Sequence, residues 1–174
     1  MIGLFFQQLK WFVLLTLLQV LVFNHIHIAG YATPLPYVYF LLLLPSDTSR
    51  AALLLWGFAM GLTVDTFTNT PGAAAAAMTL LAMMRPGLLM LFGPHDKDEN
   101  AYVPSAALFH WGAFTGYVFI SALLHEAAFF TLEAFSFFNW KELLINIGSS
   151  TALTTLIVLA FEGIRSSYRS TPDI

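Results

Sequence analysis

Long runs without a charged residue make up most of this chain, and only short polar stretches separate them. The runs extend from Trp11 to Ser46, Ala51 to Val64, Thr66 to Met84, Asn100 to His125 and Leu143 to Phe161. A helix that crosses a bilayer needs about 20 predominantly apolar residues. The pattern therefore predicts membrane-spanning helices along nearly the whole chain.

Turn signals resolve these runs into six predicted segments. They are about Leu4 to Phe23, Tyr37 to Leu44, Ala51 to Phe67, Pro71 to Met84, Ser105 to Phe130 and Leu143 to Phe161. The second segment is bracketed by prolines and is too short to cross a core of about 30 Å as a helix, so it begins earlier, is tilted or is broken. Arg85-Pro86 is expected to end or kink the fourth helix, which leaves Gly87 to Phe92 as a short piece at the membrane interface.

Composition agrees with the pattern. Of 174 residues, 58% are hydrophobic and 10% are charged, against roughly 25% charged residues in a typical soluble domain. We therefore expect an all-α integral membrane protein with about six transmembrane helices, folded as one polytopic domain over residues 1–174. The net charge is −3, and no run of basic residues suits a nucleic acid; the absence of cysteine excludes disulfides and thiolate metal sites.

Basic residues decide between five and six crossings, because they are enriched in cytoplasmic loops. Six crossings with both termini in the cytoplasm place six basic residues inside and one, Lys141, outside. The inside residues are Lys10, Arg50, Arg85, Lys97, Arg165 and Arg169. The best five-span arrangement gives a bias of only five to two, so six crossings are favoured.

Histidines at two places in the chain raise the question of metal chemistry. His125-Glu126 starts like the zinc motif H-E-x-x-H, but Phe129 occupies the place of the second histidine, which argues against a protease. Glu126 and Glu133 share one helix face and are expected to line a polar seam or to anchor the helix near the outer surface. His25 and His27 lack a third ligand nearby, so a solvated loop is favoured over a metal site. We predict no catalytic, metal or cofactor site.

The third predicted helix carries a more informative pattern. Gly57, Gly61 and Asp65 are four residues apart and therefore share one stripe, and the two glycines let another backbone approach closely. A charge at this depth costs about 2.5 kcal/mol or more unless it finds partners. We predict that Asp65 caps the start of the fourth helix across a tight turn, Asn69-Thr70-Pro71-Gly72, in which Thr70 caps and Pro71 begins the helix. The stripe serves either internal packing or docking of a partner helix.

Two further sets of residues mark packing faces. They are Gly112 with Gly116, and the stripe of Asn146, Ser150 and Thr154.

The segment from Gly61-Leu62-Thr63-Val64-Asp65 to Asn69-Thr70-Pro71-Gly72 resembles the rod shape-determining MreD family. The likeness is specific over about Leu53 to Ala77, and elsewhere it rests on size and hydropathy. The turn glycine, Gly72, stands one residue earlier than in many members of that family.

The resemblance implies a non-enzymatic scaffold of the cell-elongation machinery in the bacterial inner membrane, which supports cell shape and peptidoglycan synthesis. Its partner would be a single-span MreC-like protein, with MreB, RodA and a penicillin-binding protein as indirect partners; a homodimer stays open. The family is also similar in fold to the S-components of energy-coupling-factor transporters, so a vitamin-binding transporter subunit is the alternative function. The site residues carried by the resemblance and the stripe are Gly57, Gly61, Asp65, Asn69, Pro71 and Gly72.

Overall fold

The computed structural model describes residues 2–25, 32–94, 101–134 and 139–169, and the long elements in these ranges are all helices. They are α1 (Ile2–Leu21), α2 (Tyr39–Leu42), α3 (Arg50–Thr68), α4 (Ala73–Phe92), α5 (Ala106–Ala134) and α6 (Trp140–Arg169), with 3-10 turns at Phe23–His25 and Pro36–Val38. Helices α3 to α6 are long and apolar enough to cross a membrane, and α1 carries a shorter apolar stretch, Phe5–Leu21. The predicted all-α membrane fold is confirmed.

The largest packing interfaces lie between consecutive helices, α3 with α4, α4 with α5 and α5 with α6. Helix α1 packs on α3 through aromatic rings, with Phe12 5.7 Å from Trp56 and 5.4 Å from Phe40, measured between ring centroids. Many large apolar side chains on the outer faces remain exposed, as expected where lipid replaces water as the solvent.

The second predicted segment is present as a buried stretch of chain, but it is not a helix over its whole length. Residues 32–44, which we call the buried segment, start extended, pass through one 3-10 turn and end in the single turn of α2. From Tyr37 to Leu44 every residue is at most 8% exposed. The segment thus begins earlier than its apolar core and is broken, as two of the sequence alternatives had it; that it crosses the membrane stays a prediction.

Contacts with α6 give the direction and extent of the buried segment. The backbone N–H of Thr33 donates to Ser150, that of Leu35 donates to Thr154, and the Tyr39 hydroxyl donates to Glu162, at 3.0, 2.9 and 2.5 Å. The segment therefore runs parallel to α6, over about 18 Å of helix rise between the first and last of these contacts. Irregular backbone is tolerated at membrane depth only where protein surrounds it, and the hydroxyls of α6 supply the missing hydrogen bonds.

The prediction that the fourth helix ends near Arg85-Pro86 is wrong. Helix α4 continues through Pro86 to Phe92, so the separate interfacial piece Gly87 to Phe92 does not exist. A proline inside a membrane helix is tolerated when neighbouring groups satisfy the backbone positions that it frees. Here Pro86 is only partly buried, and α4 packs against both α3 and α5.

Other boundaries, in three helices, also differ from the sequence prediction. Helix α4 starts at Ala73 and not at Pro71, since Gly72 takes the N-cap position with φ 87°. Helix α5 extends to Ala134 and is interrupted at His110 (φ 61°), and α6 covers Trp140 to Arg169 instead of Leu143 to Phe161. Hydropathy does not predict the helical turns that extend beyond an apolar stretch, because these turns contain polar residues.

Candidate functional site

The hairpin of α3 and α4 is built around Asp65, which is 4% exposed. Its Oδ1 accepts hydrogen bonds from the N–H of Ala74 and from the hydroxyl of Thr70, both at 2.9 Å, and its Oδ2 accepts from the N–H of Ala75 at 2.8 Å. The carboxylate therefore lies on the positive end of the α4 dipole, where a negative charge is stabilised. The predicted contact between Asp65 and the start of the fourth helix is present.

All four N–H groups that begin α4 have an acceptor. Ala74 and Ala75 donate to Asp65, whereas Ala73 donates to the carbonyl of Thr70 and Ala76 to that of Gly72. The first four N–H groups of a helix have no partner within the helix, so this end would otherwise be left unsatisfied near the membrane core. The sequence suggested that Thr70 caps the helix, but its side chain does not do so. The Thr70 hydroxyl donates to Asp65 instead.

The two glycines of the stripe face α4 and not a partner. A Cβ at Gly61 would lie 2.4 Å from the carbonyl oxygen of Ala74 and 2.5 Å from the Cα of Ala75, and a Cβ at Gly57 would lie 2.9 Å from the carbonyl oxygen of Met78. Helix α4 thus occupies the face that the glycines leave open. Of the two roles open from the sequence, the structure supports internal packing.

The turn residues Asn69, Pro71 and Gly72 connect the two helices at the surface. Asn69 adopts the left-handed conformation (φ 58°, ψ 34°) as the C-cap of α3, a role that asparagine fills with little strain. Gly72 has φ 87° with nothing within 4 Å of the position that a Cβ would take, so its requirement is conformational and not steric.

A second carboxylate performs the same task at the opposite end of the bundle. Glu162 on α6 is 1% exposed, and its Oε1 accepts from the N–H of Ala106, the first residue of α5, at 3.0 Å. Its Oε2 accepts from Tyr39 and from Arg165, at 2.5 and 2.9 Å. This role was missed in the sequence, although a signal existed: Ser150, Thr154 and Glu162 lie on one stripe of α6 at multiples of four.

Arg85 extends this network to the end of the buried segment. Its side chain is fully buried on α4, and its guanidinium donates to the carbonyl oxygens of Leu44 and Pro45. The sequence had assigned Arg85 only to the inner membrane face as a topology signal. The structure gives it a structural role in holding the segment that leads into α3.

A third group of polar residues lies deeper, between α5, α6 and the buried segment, and we call it the His125 cluster. Its members are His125, Glu126, Tyr37, Thr151 and Thr154. The Tyr37 hydroxyl lies 3.0 Å from Nε2 of His125, and Thr154 donates to Oε1 of Glu126 at 2.5 Å. The Thr151 hydroxyl lies beside the Glu126 carboxyl, close enough to donate to it, and Nδ1 of His125 has no hydrogen-bond partner among the described residues.

The motif-like pair His125-Glu126 does not form a metal centre with its neighbours. The ring of His125 stacks on Phe129, at an interplanar angle of 14°, where a zinc motif would have its second histidine. No group of three histidine, aspartate or glutamate side chains suited to a metal ion occurs in the part of the chain that the structure describes. His27 and the side chain of His25 lie outside the described residues.

The remaining packing residues fall into two groups. Gly116 faces Phe92 on α4, whose ring would lie 2.7 Å from a Cβ there, whereas nothing lies within 4 Å at Gly112. Ser150 and Thr154 pair with the backbone of the buried segment, and Asn146 lies toward the open end of the same face of α6.

Comparisons of the chain with protein-family models, with curated proteins and with solved structures find no match. The resemblance to the MreD family and the expected likeness to the S-component fold therefore stay predictions. A function has to be inferred from the residues and their arrangement.

Proposed function

We propose that this chain is a non-enzymatic scaffold of the bacterial inner membrane, with both termini in the cytoplasm, that binds an MreC-like single-span protein in the cell-elongation machinery. The observation that supports the proposal best is the Asp65 hairpin. The residues that carry the MreD-like segment, Gly61, Asp65 and Gly72, each have a defined task in one rigid hairpin.

Because α4 fills the glycine stripe, we propose that the partner helix docks on another face of the protein. Helices α1 and α6 flank a lateral groove of about 1150 Å³ of open space. Its lining includes Leu14, Leu18, Phe161 and Ile164, with Lys10 and Arg165 at one end. Helices associate in lipid through van der Waals contact and a few polar contacts, and this groove offers both.

Lys10 gives the groove a preference for one kind of partner helix. On the proposed topology it lies at the cytoplasmic end of the membrane, and no basic residue lies elsewhere in the groove lining except Arg165, which is paired with Glu162. A partner helix with an acidic residue near its cytoplasmic end would complement Lys10.

Co-purification tests the proposal. The chain and an MreC-like protein are co-expressed, and the wild type is compared with a double variant that fills the groove, Leu14→Trp with Ile164→Trp. The matched control, Leu55→Trp with Met90→Trp, adds the same bulk to exposed positions on other faces. We expect the groove variant to lose the partner and the control to retain it.

The outcomes separate the docking site from the function. Retention of the partner by a folded groove variant would reject the groove, and failure of the wild type to bind any MreC-like protein would reject the scaffold. The transporter-subunit alternative predicts that a vitamin, and not a single-span protein, stabilises the purified chain.

A further inference from the structure

The lateral groove between α1 and α6 has the length of one membrane leaflet. Helix α1 packs on α3 and α6 packs on α5, and the space left between α1 and α6 is the groove. On α1 its lining runs from Gln7 to Leu18, a helix rise of about 17 Å. Half of a hydrocarbon core of about 30 Å is about 15 Å. A lipid of one leaflet would therefore fill the groove from end to end.

Polar side chains lie at only one end of this groove. The polar lining consists of Gln7, Lys10 and Arg165. The rest of the groove is lined by apolar side chains, which include Leu14, Leu18, Phe161 and Ile164. This division matches that of a membrane lipid, which has a polar headgroup on an apolar chain.

A smaller space adjoins the polar end of the groove. It encloses about 440 Å³ and shares Gln7, Trp11 and Arg165 with the groove, and the end of the buried segment also lines it. The ring of Trp11 packs edge-on against Tyr39, at 6.4 Å between ring centroids. Tryptophan is enriched at the level of a membrane where the headgroups begin. The space is thus placed to receive a headgroup whose acyl chain lies in the groove.

The charge at the polar end selects an anion. Lys10 is exposed, and no ion pair with it occurs among the described residues. Arg165 is paired with Glu162, but both of its hydrogen bonds in the described part of the chain use Nη1, so Nη2 and Nε keep donors for a ligand. Because Glu162 neutralises Arg165, the excess charge is that of Lys10 alone, which complements the single negative charge of a phosphodiester. Basic pockets between membrane helices bind anionic headgroups in this way.

We propose that an anionic phospholipid occupies the groove when no partner helix does. Its phosphodiester lies between Lys10 and Arg165, the Gln7 amide is a further donor, and one acyl chain follows the apolar lining toward Leu18. A zwitterionic headgroup would bring its own cation next to the two basic side chains, and a soluble phosphate would leave the apolar lining uncovered. The partner helix of the proposed function displaces the lipid and sets its acidic side chain against Lys10; this last step alone rests on that function.

Lipid binding by the delipidated chain in a non-ionic detergent tests the site without any partner protein. Phosphatidylglycerol and phosphatidylcholine with the same acyl chains are titrated, and native mass spectrometry counts the lipids that stay bound. We expect a single phosphatidylglycerol molecule to bind, about fivefold more tightly than phosphatidylcholine. Glycerophosphoglycerol, the soluble headgroup, should not compete because it has no acyl chain.

Variants assign the binding to the groove. Lys10→Gln should weaken phosphatidylglycerol binding about fivefold, to the level of phosphatidylcholine. The matched control Arg50→Gln removes an exposed positive charge at the start of α3 and should leave both affinities unchanged. The double variant that fills the groove with tryptophan should lose the lipid, and its control with the same bulk on other faces should retain it.

Equal affinities for the two lipids would overturn the proposal, whether or not the groove variant folds. So would undiminished binding by folded Lys10→Gln, or displacement of the lipid by glycerophosphoglycerol. An MreC-like protein that binds the wild type equally well with and without saturating phosphatidylglycerol would refute the displacement step. Failure of such a protein to bind at all would reject the scaffold alone, because the lipid site is decided on the chain by itself.

Discussion

Replacing Asp65 should destabilise the protein in proportion to the number of helix-start N–H groups left without an acceptor. Leucine has the same branched arrangement of four side-chain heavy atoms as aspartate but no acceptor, so Asp65→Leu leaves the N–H groups of both Ala74 and Ala75 unpaired in a buried position. Asparagine can keep its carbonyl oxygen at the Oδ1 position. Its amide NH₂ group would then face the N–H of Ala75, so two donors would oppose each other without an acceptor between them.

The structure sets the magnitude of each effect. An unsatisfied buried donor costs about 1–3 kcal/mol, so Asp65→Leu should lower the free energy of unfolding by about 4 kcal/mol and Asp65→Asn by about 2 kcal/mol. For a chain of this size, these values correspond to roughly 8–16 °C and 4–8 °C in the unfolding midpoint. Asparagine is not neutral at this position, because both carboxylate oxygens of Asp65 accept from backbone N–H groups.

Thermal unfolding in detergent, followed by intrinsic tryptophan fluorescence, measures these shifts. Thr70→Val removes only the hydroxyl bond to Oδ1 and should cost about 1 kcal/mol, and Asp47→Asn at an exposed site should cost nothing measurable. A wild-type midpoint for Asp65→Leu would refute the clamp. Equal loss of partner binding in both Asp65 variants at wild-type stability would show that the charge serves a partner.

Two other predictions test packing and topology. Gly61→Ala should be strongly destabilising, because its Cβ would lie 2.4 Å from a backbone oxygen of α4. Gly112→Ala has open space around it and should be neutral or slightly stabilising. Equal unfolding midpoints for the two variants would contradict the close approach of α3 and α4. Single cysteines introduced at Gly30 and Ser136 should react with an impermeant reagent from the periplasm, whereas cysteines at Ser46 and Asp98 should not. Of these four positions, Gly30, Asp98 and Ser136 lie outside the described residues. Labelling of Asp98 from the periplasm would refute the six-span topology.

The sequence by itself determined the membrane class, most of the helices and the Asp65 clamp. Hydropathy reports the solvent around a helix, so segments facing lipid are visible without any knowledge of their neighbours. The clamp was predictable for a different reason. Asp65 and the two N–H groups that donate to it are 9 and 10 residues apart across one turn, so helix periodicity and the turn residues suffice to bring them together.

Only the tertiary structure decided the roles of the other buried polar residues. Glu162 caps a helix that starts 56 residues earlier, Arg85 reaches carbonyls 40 and 41 residues away, and Thr154 pairs with both Glu126 and Leu35. In lipid every polar group needs an internal partner, but the identity of that partner depends on which helices are adjacent. The same reason explains the buried segment, whose irregular backbone is stable only because α6 presents hydroxyls along its path.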